Sequence, residues 1–375
     1  MIAGAYYSIY LFIVAVLSFF VYHRYRYRAS DSSTTFYQSQ KRNSSAFWLM
    51  LFMVIFIGFR PASSVFVDMM NYIDYYHAFY EDTPFQWDWS AENFVFDNLL
   101  AFVGSINLGT TFFFVLIAAI YFGCAYWGIK RLFKADIAIA YLTFLGAFST
   151  FSYATNGIKA GAAASVFILA LSFYRNWKVC IPLMAITLGL HHSMTMPIAA
   201  FIIAVLWKNP KHYFWLWIFC LICALTRVTF FQDMFAGIAD ESGAEYLSST
   251  NSDWGGKSGF RIDFVVYSFM PVLVGFHAIY KHRIQSTMYD LLLKVYLTAN
   301  AIWMLCMYAP FTNRIAYLSW LIYPIVLIYP LLNGNWGGNR YKVVSKIFIA
   351  HLAFTIFMEF VYYSLLLSGK TFMSK

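Results

Sequence analysis

Residues 111–129 read TFFFVLIAAIYFGCAYWGI, nineteen residues without a charge, followed at once by Lys130 and Arg131. At about 1.5 Å per residue a helix of that length advances roughly 28 Å, close to the roughly 30 Å of a bilayer's hydrocarbon core. A membrane-spanning β-strand would need only about ten residues of alternating polarity, and this run does not alternate. Backbone groups in lipid must be satisfied internally, so the run is predicted to be a transmembrane α-helix.

Similar runs recur along the chain, at 3–22, 46–59, 137–153, 158–174, 179–190, 193–207, 213–231, 262–280, 289–308, 315–332 and 347–366. Hydrophobic residues make up 61% of the 375 and charged residues only 11%, against about 25% charged in soluble domains. The expected fold is therefore all-α, a polytopic integral membrane bundle of about 12 transmembrane helices forming one transmembrane domain over 1–375. The segment 94–108 is apolar but holds Asp97, Asn98 and Asn107, and reads as an interfacial or re-entrant helix.

Charge gives the orientation. Alternate loops, starting after the first run, gather seventeen basic residues, among them Arg24, Lys41, Lys130, Arg175, Lys208, Lys281 and Arg340, against three acidic ones, Asp31, Asp136 and Asp290. The positive-inside rule makes that face cytoplasmic and predicts both termini outside. The net charge of +9 then reflects topology, and nucleic acid is not expected as a partner. Two long segments on the opposite face, at about 60–110 and 227–261, are aromatic, acidic and Gly-containing, and long loops on one face are where function tends to sit. All five cysteines fall within apolar runs, so neither a disulfide framework nor a metal site is expected, and no cofactor is called for.

The polar residues at the outer ends of the runs carry the functional reading. Arg60 is followed by Asp68, Asn71 and Tyr72; Asn156 and Lys159 flank a turn; His191 and His192 interrupt two short apolar runs. Arg227, Arg261, Asp263, Asn313 and Arg314 complete the set, and the topology puts all of them on one face. Ionisable groups at membrane depth are costly and mark candidate sites, although a lone arginine here is ordinarily an interfacial anchor and a Trp/Tyr belt is commonplace. Together the cations suit an anionic, phosphorylated ligand at the lipid boundary. His23, His77, His212, His277, His282 and His351 are scattered and are given no role, while Lys294 and Glu359, inside runs, are read as structural.

Five motifs in order, Gly58-Phe59-Arg60 with Asp68, Asn71 and Tyr72; Asn156-Gly157-Ile158-Lys159; His191-His192-Ser193; Arg261-Ile262-Asp263-Phe264; and Asn313-Arg314-Ile315-Ala316-Tyr317-Leu318, resemble the EpsG branch of the Wzy-type polysaccharide polymerases. The likeness runs over about 58–332. Lys159 stands where the family usually has Arg, which keeps the charge but loses the bidentate fork. The resemblance implies a GT-C-like glycosyltransferase of the bacterial cytoplasmic membrane. Such an enzyme moves an oligosaccharide from a polyprenyl diphosphate-linked donor to a lipid-linked acceptor at the outer face, making capsule, exopolysaccharide or O-antigen. Its implied partners are membrane lipids, a chain-length regulator and a flippase.

In that reaction Arg60, Lys159, Arg227, Arg261 and Arg314 are the expected diphosphate clamp. Tyr72, Asn156, His192, Asp263 and Asn313 are expected to bind substrate, and His191, ahead of Asp68, is the expected general base. A ligase using the same donor and a glycan or lipid flippase are the alternatives. A flippase should instead cluster its polar groups at the midplane.

Overall fold

The structure, a computed structural model, describes residues 3–29, 36–133, 135–232, 234, 259–309, 312–334, 336 and 340–361. All regular elements among the described residues are helical. Five stretches are long and apolar enough to cross a membrane: Ala3–His23, Gly109–Leu132, Ile262–Lys281, Thr312–Asn333 and Lys342–Val361. Ser45–Gly58, Phe94–Ser105, Ile158–Ser172, Trp177–Leu190, His192–Leu206 and Pro210–Leu225 are apolar but shorter. At about 1.5 Å per residue, a helix of fourteen residues covers only about 21 Å, so membrane-length helices are supported at five of the expected spans. Most of the 227–261 segment lies outside the described residues.

The chain divides into two compact units, 1–194 with 331–375, and 195–330. In the first, the α-helices in chain order are α1 (Tyr6–Ala29), α2 (Phe36–Gly58), α3 (Val67–Tyr75), α4 (Phe94–Ser105), α5 (Gly109–Leu132), α6 (Ile137–Leu145), α7 (Thr150–Thr155), α8 (Ile158–Ser172) and α9 (Trp177–Leu190), joined by the late helix Arg340–Phe357. The helix of the quoted stretch, α5, packs against both α2 and α8, and α9 packs on α8. Gly58 allows the α2–α5 approach, since a Cβ there would come 2.8 Å from the Val115 Cα.

The run 137–153 is not one helix. It breaks after α6, whose free carbonyls are taken by side chains from distant parts of the chain. The Tyr10 hydroxyl donates to Leu145 O at 2.7 Å, His351 Nε2 to Thr143 O at 2.9 Å and Thr355 Oγ1 to Gly146 O at 2.8 Å, while Thr150 Oγ1 reaches Phe144 O at 2.6 Å. Irregular backbone at membrane depth persists only where its polar groups find such partners. His351, which has no role in the sequence reading, is one of those partners.

The second unit holds α10 (Thr195–Leu206), α11 (Pro210–Leu225), α12 (Ile262–Phe276), α13 (Thr287–Leu305) and α14 (Thr312–Trp320). Its polar core is Asn300 on α13. Its Oδ1 accepts from Trp217 Nε1 at 2.8 Å, and its Nδ2 donates to Ser268 Oγ at 3.0 Å and Ser319 Oγ at 2.9 Å. Trp320 Nε1 also donates to Ser268 Oγ, at 2.8 Å. One buried amide thus ties α11, α12, α13 and α14 together with its oxygen and both of its N–H groups bonded, the condition under which a buried polar network specifies a fold. Lys294 has the expected structural pairing, 2.8 Å from Asp290 Oδ2.

Candidate active site

The short helix α4 organises the polar residues of the first unit. Asp97 and Asn93, one turn apart, serve two motifs from one helix end. The Asp97 carboxylate accepts from Lys159 Nζ at 2.8 Å, and Asn93 Oδ1 accepts from the backbone N–H of His192 at 3.1 Å. Lys159 also lies over the rings of Phe96 and Tyr72, 5.1 and 5.6 Å from their centroids, and those two rings are 5.3 Å apart. Asn156 ends α7, and Gly161 lets α8 fold back on it, because a Cβ there would meet Tyr153 O at 2.4 Å.

Arg60, two residues past the end of α2, is buried. Its Nη1 donates to Ile57 O at 3.0 Å and its Nη2 to Thr155 O at 3.3 Å, while Nε has no partner. The guanidinium sits over Phe114 at 5.0 Å and Phe66 at 5.5 Å and is in no ion pair among the described residues. Burial pulls it down to about 10, against the raising influence of Tyr6 and Asp68, so it remains a cation at neutral pH. Asp68, in the first turn of α3, is therefore within electrostatic reach of Arg60, and Tyr72 lies one turn further along the same helix.

His191 closes α9 in an extended conformation and is followed by a short 3-10 turn, His192–Met194. Its Nδ1 accepts from the backbone N–H of Ser193 at 3.2 Å, with Ser193 Oγ 2.8 Å away. A backbone N–H can only donate, so the neutral ring carries its proton on Nε2. The His191 and His192 rings stack at 5.3 Å, and His192 Nδ1 lies 3.2 Å from Glu92 Oε1, close enough for an ion pair but not aligned as a hydrogen bond.

In the second unit the candidates gather around the turn after α13. Arg261, at the start of α12, donates to Asp263 through Nε at 3.0 Å and Nη2 at 2.6 Å, lies over Phe264 at 3.6 Å, and gives its backbone N–H to Met307 Sδ at 3.4 Å. Arg227 lies over the next residue, Tyr308, at 5.4 Å, and the Tyr308 hydroxyl donates to Ala224 O at 2.9 Å. Arg227 has a left-handed backbone, φ 56°, and ends α11 with Val228 N reaching back to Cys223 O at 2.9 Å. Asn313 and Arg314 sit in the first turn of α14, Arg314 exposed. The structure thus brings Arg60, Asp68, Tyr72, Asn156, Lys159, His191 and His192 into one unit and Arg227, Arg261, Asp263, Asn313 and Arg314 into the other.

Asn93, Glu92 and Asp97 are missing from the sequence reading of the site. The available signal was an Asn and an Asp one helical turn apart at the opening of an apolar segment too short and polar to span.

The family model of the EpsG family matches residues 45–372. No curated protein and no solved structure matches the chain.

Proposed function

The chain belongs to the EpsG family, a family of Wzy-type polysaccharide polymerases, and on that premise we propose that it elongates a lipid-linked glycan from a polyprenyl diphosphate-linked donor at the outer face of the bacterial cytoplasmic membrane. The family implies a glycosyltransferase-type polymerase, and five helices among the described residues are long and apolar enough to cross a membrane. The observation that carries the finer reading is Arg60, a buried cation that among the described residues has no ion-pair partner and keeps an idle Nε. An uncompensated buried charge is costly, and an anionic ligand supplies what it lacks. A diphosphate oxygen fits, with Lys159 as a second charge that can be shared from Asp97.

In the reaction, the acceptor hydroxyl oxygen forms a bond to the anomeric carbon of the donor sugar while the bond from that carbon to the diphosphate oxygen breaks. The hydroxyl proton goes to a base and the polyprenyl diphosphate leaves with the electron pair. Of the two candidate bases, His191 holds its accepting nitrogen against Ser193 and carries its proton on Nε2. We therefore assign His191 to donate a hydrogen bond to the departing diphosphate, and Asp68 to take the proton. Arg60, Lys159 and His191 hold charge that grows in the transition state, the usual source of most catalytic stabilisation. Arg227, Arg261 and Arg314, with Asp263 and Asn313, form a second cationic set for the same class of anionic, lipid-linked substrate. Tyr72, Asn156 and His192 contact the sugar portion, and the 60–110 segment and both termini face outward.

The test is a glycan ladder assembled by purified protein in vesicles from lipid-linked repeat units. Wild-type protein gives a ladder, and Asp68→Asn loses it by about 10²–10⁴-fold while still binding donor, as expected for a lost general base. His191→Gln, whose amide nitrogen stands near the position of Nε2, keeps part of the activity that His191→Ala loses. One transferred glycan without a ladder would identify a ligase. A full ladder from Asp68→Asn, or none from His191→Gln alone, would return the base to His191.

A further inference from the structure

Between Arg60 and Lys130 the chain has seven acidic residues and no Lys or Arg. Within that stretch Trp89 is 77% exposed and Trp87 45% exposed. Their rings lie 5.2 Å apart at 56°, and Trp89 continues to Phe94, the first residue of α4, at 5.9 Å. Exposed aromatic rings in a membrane protein are most often part of the interfacial belt. Three observations oppose that reading.

First, the loop is pinned. The buried Asn98 accepts from the Asp88 backbone N–H at 2.7 Å and donates to Asp88 O at 2.7 Å, and Asp88 Oδ1 takes both Ser90 N and Ser90 Oγ, at 2.8 and 2.6 Å. The residue between the two tryptophans is therefore held on both sides, a rigidity that an anchor dissolving in headgroups does not need but a recognition surface exploits, because its ordering cost is met on folding. Second, the charge is wrong for a membrane surface, since anionic headgroups attract basic segments and this one is wholly acidic. Third, the surface is continuous with the site: Glu92, three residues after Trp89, lies 3.2 Å from His192 Nδ1, and a Cβ on Gly189 would be 2.7 Å from the Phe94 ring, which places α4 against the end of α9 beside His191.

We propose that Trp87 and Trp89 form a carbohydrate-binding platform that holds a non-acidic glycan segment by stacking sugar faces on the indoles, with Asp88 and Glu92 as acceptors for sugar hydroxyls. Indole offers a large, flat, amphipathic surface suited to the apolar face of a pyranose. The proposal rests on the polymerase reading for the identity of the glycan, the growing chain, but binding can be measured without turnover.

The experiment uses full-length protein in nanodiscs and oligosaccharide fragments released from the polysaccharide of the producing cell, observed by saturation-transfer NMR. Wild type and the turnover-deficient Asp68→Asn should both show fragment binding. Trp87→Leu/Trp89→Leu should lose it, and Trp87→Tyr/Trp89→Tyr should retain it, since leucine offers no flat ring on which a sugar face can stack. In cells, the leucine variant should shift polymer to shorter chains with unchanged amounts of protein in the membrane, whereas Asp68→Asn removes polymer altogether. Binding by the leucine variant equal to wild type, or a wild-type chain-length distribution from it, would overturn the platform and return these residues to the interfacial belt. A wild-type protein that binds the fragments but makes no glycan ladder would count against the polymerase assignment and leave the NMR result standing, whereas polymer from Asp68→Asn would only move the base to His191.

Discussion

Arg60 and Arg261 carry the same group, one in each compact unit, and their surroundings are opposite. Arg261 is answered from two residues away by the Asp263 carboxylate, which takes Nε and Nη2 in the parallel-fork geometry. Arg60 donates to two backbone carbonyls and lies over two aromatic rings, with Asp68 within electrostatic reach, but among the described residues it is in no ion pair and its Nε has no partner. An arginine with its own carboxylate holds a structure together, and a ligand phosphate must first compete with that carboxylate. A buried arginine without one waits for an anion. The sequence marks both as clamp residues, and the difference between them is the most informative feature of the candidate site.

The comparison can be broken most severely at Asp263. Removing it takes from Arg261 the carboxylate that its Nε and Nη2 both hold, and breaking a buried pair from one side costs about 3–5 kcal/mol, whereas replacing both residues by apolar ones of similar volume is often neutral. Asp263→Ala should accordingly lower the thermal unfolding midpoint in detergent sharply, and Arg261→Met/Asp263→Leu should return it near wild type. Arg60→Met should do the reverse of Asp263→Ala: in ligand-free protein it removes an unpaired charge and leaves the midpoint unchanged or raised. A fall with Arg60→Met as large as that with Asp263→Ala would mean that the two arginines are the same kind of residue after all.

The helical membrane character was legible because it follows from run length and composition, which need no knowledge of contacts. The breaks within runs were less legible. The interruption at His191 is announced by two polar residues, but the one after α6 depends on Tyr10, His351 and Thr355 arriving from more than a hundred residues away to satisfy carbonyls. Nothing in 137–153 itself records that. The same holds for the site. Arg60, Asp68, Lys159 and His191 stand out as polar residues at the ends of apolar runs, whereas Asn93 and Asp97 look like reasons why a segment fails to span. Their role as the partners of His192 and Lys159 exists only once α4 has folded against the ends of α8 and α9.

The second test sharpens the comparison in function. Hydrogen bonds to a charged group contribute about 1.5–3 kcal/mol, so Arg60→Ala should weaken binding of the lipid diphosphate donor by about 10–100-fold, read by direct binding of labelled donor in nanodiscs. Arg60→Lys should not rescue it. A single ammonium cannot serve Ile57 O, Thr155 O and a phosphate oxygen with the geometry that a planar fork provides. Arg261→Ala/Asp263→Ala, compared with wild type so that no carboxylate is orphaned, should change donor affinity less. Equal losses would show that Asp263 yields to the ligand and that the second unit's arginine clamps as well as the first's.

The smallest expected effect is at Arg227, where the two kinds of arginine can be told apart by backbone alone. It occupies the left-handed position that closes α11, with φ 56° and the Val228 N to Cys223 O return bond, a place where glycine is the usual residue. A side chain in that conformation costs about 1–2 kcal/mol, and glycine gives back about 0.5–1 kcal/mol through its greater loss of chain entropy. Arg227→Gly should therefore leave the fold slightly more stable, by about 0.5–1 kcal/mol, seen as a rise of a degree or a few in the unfolding midpoint. If Arg227 only anchors the helix end over Tyr308, the same variant should polymerise normally. If the strain is tolerated because the guanidinium is needed for substrate, stability should rise while donor affinity falls, the opposite movement of the two quantities being the signature. A variant both less stable and normally active would place Arg227 with Arg261, as a residue that the structure needs more than the reaction does.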